Sequence, residues 1–149
     1  MPRPRNKTGN PSGESGESDA RLSPGTENYL LCLYKLWEDD EIPTITQLTD
    51  NLKQLPETEG LGTSVPSVAG MIRRMQRQDL VDVGSDKRIR LTGQGLAGGE
   101  DIARRHRLAE WLVVKLLGMD LHQAHNEAHR LEHGMSQDFQ EKLVERCGY

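Results

Sequence analysis

Residues 64–91, SVPSVAGMIRRMQRQDLVDVGSDKRIRL, decide the fold of the first half of this chain of 149 residues. Ser64 before Val-Pro is a typical helix start, and the apolar residues after it recur at helical spacing. Two apolar runs, 80–83 and 88–91, then flank a Gly-Ser-Asp-Lys turn, which predicts a β-hairpin. A helix followed by such a hairpin is typical of a winged helix-turn-helix. The buried stripe predicted for the helix consists of Val68, Ile72 and Met75.

The segment upstream supplies the two further helices that this motif requires. A first helix is predicted to begin near Ser23-Pro24 and to run through Leu36, and a second covers about 47–52. Between them, residues 42–46 (Ile-Pro-Thr-Ile-Thr) predict a very short strand or a cap. The run 53–63 contains proline and glycine and predicts an extended loop. The order is therefore helix, helix, helix, hairpin.

The second half of the chain is predicted to be helical. One long helix over 92–117 has leucines in register, and two shorter helices cover about 121–133 and 136–146. Several large apolar residues of this half are expected in the core or at a dimer interface, with the core favoured for each. They are Trp111, Leu112, Leu116, Leu131, Met135 and Phe139.

Together these elements predict a mainly α fold, in which a winged helix-turn-helix DNA-binding domain is followed by a second, helical domain. Residues 1–22 are rich in Pro, Gly, Ser and charge and predict a disordered tail. Residues 23–94 form the predicted winged domain, and residues 95–149 form the helical one. Because only 34% of the residues are hydrophobic, the core is expected to be modest, and dimerisation would bury additional surface.

Charge and cysteine content narrow the function classes. A formal net charge of −4 argues against a general polyanion binder, but residues 73–90 are locally basic. The two cysteines, Cys32 and Cys147, are isolated, and no signal peptide or membrane-spanning run is apparent, which favours a reducing cytoplasm. We expect no membrane and no small-molecule substrate among the partners.

The third helix and the hairpin are the candidate DNA-binding elements. In a winged helix-turn-helix the third helix enters the major groove, and here its first residues are Ser64, Pro66 and Ser67. Short hydroxyls allow close approach and phosphate contacts, but none of these residues makes a bidentate contact with a base. Among the basic residues, Arg77 and Lys87 are the strongest candidates for phosphate contacts. The alternative is that these charges only favour solubility.

A second set of residues has the composition of a metal site. His122, His125, His129 and His133 share one helical stripe with Glu132, and imidazole and carboxylate suit divalent manganese, iron or zinc. One helix upstream, His106 and Glu110 repeat the pattern at a spacing of four. Two such helices facing each other could enclose one or two metal ions. The alternative is a pair of solvated helix faces.

With both halves in place, the chain resembles the diphtheria toxin repressor family of metal-dependent transcriptional regulators, which includes the manganese transport regulators. The likeness covers roughly residues 23–143. The stretches that carry it are Thr26-Glu-Asn-Tyr-Leu, Ser64-Val-Pro-Ser-Val, Arg73-Arg-Met-Gln-Arg-Gln-Asp-Leu-Val, Arg105-His-Arg-Leu-Ala-Glu and His125-Asn-Glu-Ala-His-Arg-Leu-Glu-His-Gly-Met-Ser.

The resemblance implies a repressor that binds double-stranded operator DNA as a homodimer when loaded with Mn²⁺ or Fe²⁺, with Zn²⁺ as a further occupant, and that controls metal homeostasis genes. Residues 95–149 would then be a helical dimerisation and metal-binding domain. Matched residue by residue, one metal position corresponds to His106, Glu110 and His125, and the other to His129, Glu132 and His133. Asn28 lies where the first helix contributes its ligand. Family members commonly have methionine or aspartate there and cysteine or glutamate at the place of His129, so the metal preference stays open.

Three other readings remain at this point. The first is a winged-helix regulator that binds DNA without metal, and the second is a protein-interaction module on the same scaffold. The third is a metallohydrolase, because His129-Arg-Leu-Glu-His133 fits the H-x-x-E-H pattern with Glu132 as general base. Only 16 residues follow His133 in this sequence, too few for a substantial substrate-binding domain.

Overall fold

A computed structural model describes residues 22–54 and 63–147, with only the backbone described for Cys147. Except for Leu22, the predicted disordered tail lies outside the described residues, and so does most of the predicted 53–63 loop. The elements in chain order are α1 (Pro24–Glu38), α2 (Ile45–Gln54), α3 (Val65–Arg77), β1 (Val81–Val83), β2 (Ile89–Leu91), α4 (Gly93–Trp111), α5 (Leu121–Glu132) and α6 (Gln137–Cys147), with a π-helical segment (Leu112–Leu116) directly after α4. The predicted mainly α fold with a small wing is confirmed.

Local side-chain caps set the starts of the helices in the winged region. The Ser23 hydroxyl accepts a hydrogen bond from the Thr26 amide at the start of α1, and Ser64 does the same for the Ser67 amide at the start of α3. At α2, Thr44 and the Gln47 side chain satisfy each other's backbone amides in a capping box. Of the two predictions for 42–46, the cap is therefore confirmed, whereas the strand is reduced to an isolated antiparallel bridge between Thr44 and Arg88.

The hairpin is antiparallel, with Val81 opposite Leu91 and Val83 opposite Ile89. Val81 and Ile89 are buried and join the core formed by α1, α2 and α3. The connection from the wing into α4 is tight. A Cβ on Gly95 would lie 1.8 Å from the Leu80 carbonyl oxygen, so only glycine fits at this place.

The long helix predicted over 92–117 is interrupted. After Trp111 the hydrogen bonding changes to a π-helical pattern, with the Leu117 amide donating to the Leu112 carbonyl at 3.3 Å, and Gly118 with a φ of 65° ends the segment. The wider turn shifts the register of the side chains. As a result Val113 is buried, whereas Leu116, expected in register with Leu108, is 63% exposed.

The core assignment of several apolar residues is therefore wrong for the single chain. Met135 is buried, as favoured, and Trp111 and Leu112 are half-buried. Leu116, Leu131 and Phe139 are exposed, and Leu117 and Leu121 join them on the surface of the helical region. None of the described helices combines the length and apolar character that crossing a bilayer requires.

Candidate metal centre and nucleic-acid interface

The predicted metal ligands of the helical region lie between α4 and α5, which pack against each other. His106 and Glu110 are one turn apart on α4, and His125, His129 and Glu132 lie on one face of α5, with His133 at its C-cap. Asp120 caps the start of α5 through the amides of residues 122 and 123. Six of the seven predicted ligands therefore occupy neighbouring elements, as the helical spacing indicated.

Three imidazoles form the centre of this arrangement. One ring nitrogen from each of His106, His125 and His129 lies within 4.8 Å of the other two. The Nε2 atoms of His125 and His129 are 3.3 Å apart, and the ring centroid of His129 is 4.7 Å from that of His106. The matching in sequence assigned His129 to a different metal position from His106 and His125, whereas the structure places all three together.

Two carboxylates hold these imidazoles. Glu110 Oε1 lies 2.7 Å from His106 Nε2 and 2.9 Å from His125 Nδ1. Glu132, which is 0% exposed, contacts His106 Nδ1 at 2.5 Å through Oε2 and His129 Nδ1 at 3.0 Å through Oε1. Both ring nitrogens of His106 thus face carboxylate oxygens. We call these five residues the His/Glu cluster: His106, Glu110, His125, His129 and Glu132.

The cluster favours ionised carboxylates. Burial by itself would raise the pKa of Glu132, but hydrogen bonds and positive charge from His106 and His129 outweigh it and lower that pKa below its usual 4.5. For Glu110, burial also acts to raise the pKa, and the contacts with His125 and His106 again lower it. Two buried or half-buried carboxylates therefore stay charged beside three imidazoles.

The donor set of the His/Glu cluster fits a divalent metal ion. A neutral imidazole has one N–H, and its other ring nitrogen is an acceptor. One of the two contacts between His106 and a carboxylate therefore brings two acceptors together, unless a proton or a cation lies between them. Donor atoms around a tetrahedral ion at bond lengths of about 2.1 Å lie roughly 3.4 Å apart. The three imidazole nitrogens are already within 4.8 Å, so modest side-chain rotation would close the set. Nitrogen with carboxylate oxygen suits manganese, iron or zinc.

The contribution of α1 differs in detail from the prediction. Asn28 is half-buried, and among the described residues no hydrogen bond joins it to a predicted ligand. Its neighbour Glu27 is 3% exposed, and its Oε1 lies 3.2 Å from His133 Nδ1. The other oxygen of Glu27 is paired with Arg105 of α4. Glu27 and Arg105 were missed, because an acidic residue in a first helical turn and an arginine in a helix are ordinary in sequence.

His122 is separate from the cluster. Its side chain is exposed on the first turn of α5, although it shares the stripe in sequence with His125 and His129. Ala124, in the same first turn of α5, is buried, so His122 lies on the side of the helix that faces away from the core. His122 is therefore a histidine of the same helix with no place in the site.

The predicted DNA-binding residues lie on an exposed surface. Ser64, Pro66 and Ser67 form the first turn of α3 and are exposed, and Arg77 is exposed at its C-terminal end. Lys87 is at the tip of the hairpin with a φ of 63°. Two other basic residues of the region, Arg88 and Arg90, have internal partners.

Those internal partners explain which charges are available to a ligand. Arg88 donates to the Ile42 carbonyl at 2.5 Å, and Arg90 forms an ion pair with Asp86 at 2.8 Å. These two arginines thus hold the wing in shape. Within the described part of the chain, no such ion pair involves Arg77 or Lys87, and the same holds for Arg73 and Arg74, so the ranking of Arg77 and Lys87 from sequence stays a prediction.

Comparison with known proteins agrees with both halves of the structure. Residues 92–149 match the family described as iron dependent repressor, metal binding and dimerisation domain. The chain is 37% identical over 120 residues to the diphtheria toxin repressor of Corynebacterium efficiens, a match that covers 80% of this chain and 48% of that protein. These matches confirm the resemblance to the diphtheria toxin repressor family that the sequence motifs indicated.

Two further members of the family extend the likeness. The iron-dependent repressor IdeR of Mycobacterium tuberculosis is 36% identical over 119 residues, with 80% of this chain and 48% of that protein covered. The solved structure of the manganese regulator SloR superposes with a TM-score of 0.71 at 29% identity, covering 86% of this chain and 55% of that one. The chain thus spans about half the length of the family members it matches.

Proposed function

We propose that this chain is a metal-dependent transcriptional repressor that binds operator DNA as a dimer when it is loaded with Mn²⁺ or Fe²⁺, and that it controls metal homeostasis genes. The observation that carries the proposal is the His/Glu cluster, which joins α4 to α5 while α4 also packs on α1 of the winged region. The named relatives, an iron-dependent repressor and a manganese regulator, support both metals.

We propose His106, Glu110, His125, His129 and Glu132 as the residues that hold the metal, with His133 and Asn28 as the remaining candidates. A divalent ion bound there would neutralise the carboxylates and fix the distance between α4 and α5. Side chains of the protein orient the ligands of this ion. His106 and Glu110 orient the α4 side of the site, and Glu132 orients His129 from the same helix.

The same geometry supports a link to DNA binding. The winged domain, which we place at residues 23–94, contacts the helical domain at 95–149 through the packing of α1 on α4. A change between α4 and α5 therefore reaches α1, and through the common core reaches α3. Such coupling is typically about 1–3 kcal/mol, and it requires that DNA strengthen metal binding by the same factor.

On the DNA side, we propose that α3 enters the major groove with Ser64, Pro66 and Ser67 near the bases and that Arg77 and Lys87 bind phosphates. Exposed serines at a helix start, and two basic side chains with no ion pair among the described residues, support this assignment. A cytoplasmic location is part of the same proposal, because the protein would have to reach operator DNA.

The exposed apolar surface of the helical region supports dimerisation. Large apolar side chains on the surface of a small domain mark an interaction site when they cluster. Five of them belong to the 95–149 domain: Leu116, Leu117, Leu121, Leu131 and Phe139. We propose that a second copy of the chain covers this surface.

We infer that the H-x-x-E-H pattern does not mark a hydrolase. A general base must reach a water molecule at the metal, but Glu132 is 0% exposed and both of its oxygens contact imidazoles. The family that the chain resembles consists of transcriptional regulators, which agrees with this inference.

The test is a titration of the protein with DNA from the region upstream of its own gene. The salt concentration is fixed, and binding is measured first with chelator and then with Mn²⁺, Fe²⁺ or Zn²⁺. The proposal predicts metal-dependent binding that is lost in His129→Ala and in Glu132→Ala and retained in the control His122→Ala. Equal binding in chelator and in metal would leave a metal-independent winged-helix regulator, and no salt-dependent DNA binding at all would leave an interaction module.

A further inference from the structure

A buried arginine connects the winged region to the metal-binding helices. Arg105 lies one residue before His106 on α4, and 5% of its side chain is exposed. Its guanidinium pairs with Glu27 of α1, donates to the Glu132 backbone carbonyl of α5 at 3.0 Å, and lies 2.9 Å from Asp101 Oδ2. One side chain thus contacts α1 and α5 while it is anchored on α4.

Two of the three partners of Arg105, Glu27 and Glu132, also contact imidazoles. Glu27 Oε1 lies 3.2 Å from His133 Nδ1. Glu132 accepts from Arg105 through its backbone carbonyl, while its carboxylate contacts His106 and His129. Any movement of Glu132 in the His/Glu cluster is therefore transmitted directly to Arg105, and from Arg105 to Glu27.

The chemistry of this pair indicates a positional role. A buried ion pair loses hydration on both sides, and apolar residues in the same place are often equally stabilising. In addition, Arg105 Nε is buried without a hydrogen-bond partner, so the guanidinium does not have its full set of contacts in this arrangement. A pair with such a cost is better explained by the geometry it imposes on α1 than by stability.

We propose that Arg105 and Glu27 are positioning residues that couple the metal centre to α1, so that metal bound at the His/Glu cluster changes DNA affinity through the Glu132–Arg105–Glu27 connection. This inference rests on the proposed function. Neither residue is a ligand of the metal in this account. Arg105 positions Glu27, and Glu27 positions the start of α1.

The chain contains a matched control for this pair. Arg107 and Glu38 also join α4 to α1, with Arg107 contacting the two carboxylate oxygens of Glu38 at 2.9 and 3.1 Å. This second pair is exposed and has no contact with the cluster among the described residues. Exposed pairs contribute little, so its removal should leave the coupling unchanged.

The experiment measures two quantities for each full-length variant: the Kd for Mn²⁺ of chelator-stripped protein, and the ratio of DNA affinities with Mn²⁺ and with chelator. For Arg105→Met and Glu27→Gln we expect the Mn²⁺ Kd to stay within about threefold of wild type, while the affinity ratio falls about tenfold. Arg107→Met should match wild type in both quantities.

Arg105→Lys keeps the test decisive if Arg105→Met does not fold. Lysine keeps the charge but lacks the planar fork that reaches Glu27 and the Glu132 carbonyl together, so we expect a folded variant with a reduced affinity ratio. Wild-type ratios in folded Arg105→Lys and Glu27→Gln would overturn the inference. Loss of Mn²⁺ binding in Glu27→Gln would also overturn it, since Glu27 would then be a ligand. If wild type itself shows no metal dependence, the proposed function fails instead.

Discussion

The interiors of the two halves of this molecule are stabilised by different interactions. The winged region has a continuous apolar core in which Tyr29, Leu30, Leu48 and Ile72 are almost completely buried. The helical region has a much smaller apolar cluster, and its interior includes Arg105, His106 and Glu132.

This difference separates a part that folds by hydrophobic burial from a part whose packing depends on charge. Apolar burial is insensitive to pH and to metal, whereas a buried set of carboxylates and imidazoles requires protons or a cation to be stable. The helical region also exposes large apolar side chains, so it needs a partner surface as well. We therefore expect the response to metal to lie in the helical half.

The largest effect is expected from the apolar core. Replacing Ile72 by alanine removes buried methyl groups and leaves a cavity, so the free energy of unfolding should fall by about 2–5 kcal/mol. Urea denaturation should give the same loss in chelator and in Mn²⁺. Arg73→Ala, an exposed neighbour on the same helix, is the control, and a loss that depends on metal would contradict the separation of the two halves.

Metal should stabilise the helical half by a comparable but smaller amount. Mn²⁺ at 100 times its Kd should raise the free energy of unfolding of wild type by about 2.7 kcal/mol. Glu132→Gln removes the carboxylate that holds His106 and His129, so most of this gain should disappear. His122→Ala should keep it, because His122 is exposed outside the site. Thermal unfolding with and without metal measures both, and equal gains in the two variants would argue against the site.

Much of this architecture was accessible from sequence because it depends on local periodicity. The stripe of α3 and the Gly-Ser-Asp-Lys turn of the hairpin both gave the observed elements, since turn chemistry and helical spacing act over a few residues. The pairing of α4 with α5 followed from ligand spacing on each helix. The π-helical segment did not, because a change in hydrogen-bond pattern after Trp111 leaves the leucine spacing intact.

Details of the site depended on contacts between distant residues. The ion pair of Glu27 and Arg105 joins positions 78 residues apart, and neither residue type signals such a contact. The place of His129 beside His106 and His125 depends on the packing of α4 on α5 rather than on the spacing within α5. The sequence thus identified the candidate donor residues, but not which of them lie together in the structure.

Acid should affect the two halves unequally. Glu110 and Glu132 of the helical half have folded-state pKa values below the usual 4.5, and so does Glu27 of α1, which contacts Arg105 and His133 of that half. For each, the contacts with histidine or arginine outweigh burial. The unfolded state then binds more protons, so their contribution is complete above about pH 4.5 and is lost as the pH falls below that value. In chelator, the fluorescence of Trp111 in Trp37→Phe should therefore change at a higher pH than that of Trp37 in Trp111→Phe. Coincident transitions would count against the comparison.

The smallest effects concern the DNA surface of the winged region. Lys87→Gln and Arg77→Gln each remove one proposed phosphate contact, so each should weaken binding modestly and reduce the slope of log K against log salt by about 1. Lys142→Gln, which removes an exposed charge from α6, should leave the slope unchanged. An unchanged slope in Lys87→Gln would remove the wing tip from the interface.

The central claim is that the His/Glu cluster of the helical half is the metal centre. Calorimetric titration of chelator-stripped protein with Mn²⁺ tests this claim most directly. Wild type and His122→Ala should bind with the same Kd, while His129→Ala should lose binding because the three-imidazole set is broken. Wild-type affinity in His129→Ala would contradict the account.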